Sequence, residues 1–236
     1  MENSLEQGIA LYKAGNYTQV LALLLNGDPG QSAAGNRDYA YYIGLAYMKL
    51  KQYEDALPYL ELVVTAGENL EQVRQCRFLL AVIYSLTGRE RLADFELRKL
   101  LDSGYKPGAV YAALAYTAWT QNKTGECLSF YEQALKKEEN NVTALNGLGY
   151  VLACMGKDLT SALKLCRKAV DAAPNSAACL DSLGWVYYKM GMFDEARKYI
   201  EKAKKIDRAR KEIAAHYETV IEAEKTTVTI KSENRL

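Results

Sequence analysis

The 236-residue sequence has a single histidine, His216, and that scarcity removes most imidazole-based catalysis and most metal sites. Neither charge is in excess: 30 Lys and Arg stand against 29 Asp and Glu, a formal net charge of +1. A chain so balanced lacks the basic surface of a nucleic-acid binder and the acid run of a solvating tail, so no nucleic-acid partner is expected. Long apolar runs are missing too. The longest candidate, 109–119, is broken by Thr117 and falls short of the roughly 18 residues a bilayer requires, so no direct membrane span is expected. The N-terminus carries two carboxylates with no basic and apolar stretch behind them, which reads as a cytoplasmic protein without a secretory leader. The alternative expectation is a periplasmic or lipid-anchored protein whose leader has been removed. Five cysteines, an odd number without a C-x-x-C pair, fit a reducing compartment better than a disulfide framework. With no glycine-rich phosphate loop, no cofactor is expected.

What is present is a period. Its clearest unit is 177–207, two helical patterns joined by Gly191-Met192-Phe193. The first pattern holds Leu180, Leu183, Gly184 and Tyr187, and the second Ala196, Ile200 and Ala203. One unit upstream, Leu145, Leu148, Gly149 and Leu152 precede Ala162, Cys166 and Ala169. The small-residue positions Gly8, Gly44, Ala81, Ala115, Gly149 and Gly184 follow one another at steps of 36, 37, 34, 34 and 35. Turns keep the same register at Gly15, Lys51, Gly88, Asn122, Gly156 and Gly191. Glycine inside a helix costs about 1 kcal/mol against alanine, so its recurrence calls for a packing reason. A small residue facing a large one lets two antiparallel helices approach closely.

The string DSLGWVYYKMG at 181–191 and its register resemble the tetratricopeptide repeat, above all its bacterial members, over about nine-tenths of the chain. The resemblance implies an all-α, right-handed superhelical solenoid of six helix-turn-helix repeats, at about 1–34, 37–70, 74–107, 108–141, 142–176 and 177–208. Departures from the pattern are a loose stretch at 26–36, Arg77 where a large apolar residue is usual, and one extra residue in the fifth turn. A capping helix is expected over 209–225, with Ile213, Tyr217, Val220 and Ile221 on one side, and a flexible tail over 226–236.

Charge separates the two helices of a repeat. In the last three repeats the first helices contain only Asp181 and Lys189 as charged residues, whereas the second helices carry 17. A helix apolar nearly all round is covered on several sides, and a charged stripe faces water, so the first helices lie inside. Residues on the side away from the partner helix, at spacing i, i+4, i+7, line the concave groove that the family resemblance implies. Candidate ligand-binding residues are Tyr12, Tyr41, Met48, Phe78, Tyr116 and Trp119, followed by Asn146, Tyr150, Asp181, Trp185 and Tyr188. Rigid rings with polar tips make good anchors for a peptide or helix. Some relatives hold a C-terminal carboxylate with a clamp of Lys, Asn and Arg; no frame here supplies those cations, so the expected ligand is apolar or aromatic.

The remaining chemistry is thin. A Ser-His-Asp arrangement could use only His216, which the pattern places at a surface or capping position of the terminal helix. Cys127 and Cys166 stand where other repeats carry alanine or leucine and are expected to pack rather than bind metal. The basic run 198–211 is expected to be a solvated helix end. The sequence therefore reads as a non-enzymatic adaptor or scaffold that binds a protein or peptide segment in an aromatic groove. The alternatives are a self-assembling structural protein, with another copy of the chain as partner, and a periplasmic lipoprotein adaptor.

Overall fold

The computed structural model describes residues 4–26 and 37–233, and among these it is helical, with no strand. Two compact units divide the chain, Met1–Lys106 and Pro107–Leu236. The first holds α1 (Ser4–Lys13), α2 (Tyr17–Leu25), α3 (Arg37–Lys49), α4 (Tyr53–Ala66), α5 (Leu70–Leu86) and α6 (Glu90–Asp102). The second holds α7 (Gly108–Thr120), α8 (Thr124–Lys137), α9 (Val142–Cys154), α10 (Leu159–Ala172), α11 (Ala177–Lys189), α12 (Phe193–Ile206) and α13 (Lys211–Glu233). Odd and even helices pair in order, and each pair packs on the next within its unit. The loose stretch expected at 26–36 lies, beyond Asn26, outside the described residues.

Close approach explains the glycines. A Cβ added at Gly184 would lie 2.5 Å from Ile200 Cγ1 and 3.0 Å from the Ala196 carbonyl, and one at Gly149 2.5 Å from Cys166 Sγ and 3.0 Å from the Ala162 carbonyl. At Gly8 and Gly44 the corresponding space is filled by Leu24 and Leu60. In these four hairpins the second helix therefore seats a side chain on the bare backbone of the first.

The turns share a second constraint. Gly15, Gly88, Gly156 and Gly191 adopt left-handed backbone, and Lys51 and Asn122, at the same register position, do so too at φ 60°. The extra residue of the fifth turn is Asp158, also left-handed at φ 41°, whose carboxylate accepts from the Ser161 N–H and so caps α10. Asn141 and Ser176 cap α9 and α11 in the same way. Arg77 finds Glu96 across the hairpin, Nη1 to Oε2 2.5 Å, which accounts for a cation in an apolar position.

Helix α13 runs to Glu233, so the boundary expected at 225 between cap and tail is corrected: the helix continues through it, and 234–236 lie outside the described residues. Ile213 and Val220 are buried on Leu180, Leu183 and Ile200, with Tyr217 beside them, which is the covering role expected of a terminal helix.

The cysteines pack. Cys76, Cys127, Cys166 and Cys179 are buried and free, Cys154 is free and half-buried, and burial pushes the thiols of Cys76 and Cys166 up to about 12 and that of Cys127 to about 11. An unfolded thiol ionises near 9.0, so above about pH 9 the unfolded chain loses protons that the folded chain keeps. The stability these groups contribute is present below that pH and is lost as pH rises towards about 12. The expected urea midpoint is flat from neutrality to about pH 9 and falls beyond it, with a shallower fall in Cys166→Ala.

Candidate functional site

The outward-facing helices declare themselves by their charges; the inner stripes are built from the odd-numbered ones. In the first unit, Tyr12 on α1 meets Tyr42 edge-on with centroids 5.8 Å apart, and Tyr42 meets Tyr41 edge-on at 5.1 Å. The Tyr41 hydroxyl donates to Gln75 Oε1 at 2.6 Å, and burial with neighbouring Cys76 pushes its pKa up to about 12. Tyr12 and Tyr41 are thus brought together through Tyr42, a ring the i, i+4, i+7 reading passed over. Met48 on α3 and Phe78 on α5 are half-buried.

In the second unit the stripe begins on α7, which carries no charged side chain. Tyr116 is 49% exposed there, and Trp119, one turn on, is half-buried. On α9, Asn146 and Tyr150 are half-buried, and on α11 so are Trp185 and Tyr188.

The four residues Tyr150, Asp181, Trp185 and Tyr188 form one construction, and its centre is His216 of α13. His216 Nδ1 lies 2.9 Å from Asp181 Oδ2, and Nε2 lies 3.5 Å from the Tyr150 hydroxyl. Nδ1–H donates to the carboxylate, and Nε2 faces the phenol. The imidazole stacks on Trp185 at 4.1 Å between centroids, and Trp185 stacks in turn on Tyr188 at 4.8 Å. The Lys189 ammonium sits over both rings, at 5.3 and 5.9 Å from their centroids. Burial, with Cys154 and Asp181 nearby, raises the Tyr150 pKa, so the phenol stays neutral.

Two expectations meet the structure here. Tyr150, Asp181 and Trp185 do not stand clear of the chain's own side chains, because His216 fills the space between them; and His216, expected at a surface or capping position, takes the capping one, on the inward face of α13. Both follow from helical period: 216 is three past Ile213 and four before Val220, so a helix laid down by those two apolar residues turns the imidazole inward with them. That signal was in the sequence, since Ile213, Tyr217 and Val220 mark the same side. Asp181 is 7% exposed, and its other oxygen, Oδ1, is buried without a hydrogen-bond partner, as is Asn146 Oδ1 on α9.

The stripe offers ring faces, a neutral phenol and acceptor oxygens. The Asp181–His216 pair faces the Tyr150 phenol.

Residues 141–209 match a family model described as Tetratricopeptide repeat, and residues 38–66 match a second model of the same description. A TPR repeat-containing protein of Pseudomonas aeruginosa is 38% identical over 69 residues, which are 29% of this chain and 12% of that one. The Photosystem I assembly protein Ycf3 of Synechococcus sp. is 30% identical over 108 residues, 44% of this chain and 62% of its own. The chain therefore spans less than two thirds of either relative. A tetratricopeptide repeat protein from Parabacteroides merdae shares the fold, with a TM-score of 0.70 at 13% identity over 92% of this chain and 83% of that one.

Proposed function

Because this chain belongs to the tetratricopeptide-repeat family, whose helical repeats serve as protein-interaction scaffolds, we propose that it binds a segment of another protein on the aromatic inner stripe and so organises a larger complex. The observation that carries this reading is Tyr116: a large ring, 49% exposed, on a helix without a charge, one turn from Trp119. An exposed ring on a wholly uncharged helix has no role in keeping the chain in solution, whereas it gains most by burial against a partner. The name of the Ycf3 relative, an assembly protein, supports a role in bringing components together.

The test is affinity capture with the full chain as bait, compared with a Tyr116→Asp, Trp119→Asp double variant. The double variant is expected to lose at least tenfold of the proteins captured by the parent, at unchanged helical circular dichroism, because a buried charge in a hot spot costs several kcal/mol. Trp185, which packs against His216 and Tyr188, is unsuitable for such a test, since a charge there would disturb the fold itself. Capture undiminished in the double variant overturns the reading.

A further inference from the structure

We propose that the place held by His216 is the specificity pocket of the inner stripe, that its external ligand is an amphipathic helix presenting an arginine, and that α13 competes with this ligand for the site. The inference rests on the reading of the stripe as a protein-binding face and names the chemistry of the partner.

The occupant already on the stripe shows what fits. Helix α13 lies against α11 and α12 through Ile213, Tyr217 and Val220, and sends one planar side chain between Tyr150 and Trp185 to reach Asp181. A ligand for this place is therefore a helix with apolar residues three behind and four ahead of a planar hydrogen-bond donor.

His216 fills the place incompletely. It meets only one oxygen of Asp181, and Asp181 Oδ1 is left buried with no partner although the residue is more than nine-tenths covered. Asn146 Oδ1, at the equivalent position of the preceding repeat, is a second buried acceptor without a partner. Both acceptors ask for donors, Trp185 Nε1 is a buried donor without an acceptor beside them, and the one charged group among the three is an anion. A guanidinium is planar, permanently charged and carries parallel N–H donors, so it can bond both carboxylate oxygens at once while stacking on the indole as the imidazole does. Lys189, over Trp185 and Tyr188, is the cation that an incoming arginine meets, and Asp181 is the charge that offsets it. A compact ammonium would satisfy the charge but neither the fork geometry nor the stack.

The seated helix also supplies the probe. Three synthetic peptides spanning 209–226 are titrated into the full chain: the native sequence, one with His216→Arg and one with His216→Ala. The chain carries Trp119→Phe, so Trp185 is its only indole, and its emission reports what stacks on that ring. The arginine peptide is expected to bind at least tenfold more tightly than the native one and to change Trp185 emission, with the alanine peptide weaker than either. In an Asp181→Asn chain, checked for folding by circular dichroism, the arginine advantage is expected to fall below threefold. A second measurement needs no binding in trans: in the full chain, His216→Arg is expected to slow amide exchange over 211–220 relative to wild type, and His216→Ala to speed it. Equal binding of the arginine and alanine peptides, no binding by any of them, or faster exchange in His216→Arg than in wild type would each overturn the proposal. Those results would leave the Tyr116 and Trp119 capture experiment untouched, so the two readings fall separately.

Discussion

Replacing His216 with alanine is expected to lower the stability of the second unit by about 3–5 kcal/mol, a large share of the 5–15 kcal/mol that holds a typical domain together. The size follows from burial. The side chains of His216 and Asp181 are only 14% and 10% exposed, so their contact belongs with interior pairs and not with surface ion pairs, whose median value is about 0–1 kcal/mol. Alanine removes the His216 partner of Asp181 Oδ2 while Oδ1 has none among the described residues, leaving a carboxylate whose oxygens both lack a hydrogen bond from those residues. It also deletes the ring that fills the space between Tyr150 and Trp185, which adds a cavity.

A double-mutant cycle separates the two contributions. If the stranded carboxylate dominates, Asp181→Ala combined with His216→Ala costs clearly less than the two single changes added together, with a coupling of about 1–3 kcal/mol. Coupling under about 0.5 kcal/mol would mean that the pair behaves as an exposed one and that the lost ring accounts for the whole effect. The loss has a local route, because α13 packs on α11 and α12 and can open before the rest of the unit does. Urea denaturation with circular dichroism reads the total, and amide exchange over 211–220 reads the opening of α13.

The repeats were legible because their packing demands unusual residues. Backbone-to-backbone approach at Gly149 and Gly184, and left-handed turns at Gly15, Gly88, Gly156 and Gly191, each leave a small residue where chance would not repeatedly put one. Charge on the even helices of the second unit marked their outer faces just as plainly. What stayed hidden was contact between elements far apart in sequence. Asp181 and His216 are 35 residues apart and share no helix, and no period of either helix relates them. Arg77 showed itself as an anomaly, but Glu96, nineteen residues on and across the hairpin, could not be named as its partner. The aromatic stripe was found by spacing, and its openness was not, since spacing says which residues share a face and nothing of what another element lays over that face. Read with its apolar neighbours, His216 could have been placed inward; its destination could not.

The glycine slots make the packing argument quantitative through a contrast of four alanines. On helix propensity alone, every helical Gly→Ala change should stabilise by up to about 1 kcal/mol. Gly125, in the first turn of α8, has nothing within 4 Å of an added Cβ, and Gly125→Ala is expected to show that gain in part. Gly184→Ala is expected to reverse it, with a net loss of about 1–3 kcal/mol, because the new methyl meets the Ala196 carbonyl at 3.0 Å as well as Ile200 Cγ1 at 2.5 Å. A carbonyl is part of a helix and cannot step aside without moving it. Gly149→Ala meets the same pair of obstacles, Ala162 O and Cys166 Sγ, and should behave alike. Gly44→Ala is the intermediate case: its nearest obstacle is the branched end of Leu60 at 2.8 Å, which can rotate, and the nearest Leu60 backbone atom is 3.5 Å away. The expected order of stability is therefore Gly125→Ala above wild type, then Gly44→Ala, then Gly149→Ala and Gly184→Ala together at the bottom. Urea midpoints of the four variants measure it. If Gly184→Ala proves no worse than Gly44→Ala, the hairpins are held apart by flexible side chains and the bare-backbone contact is not what sets their spacing.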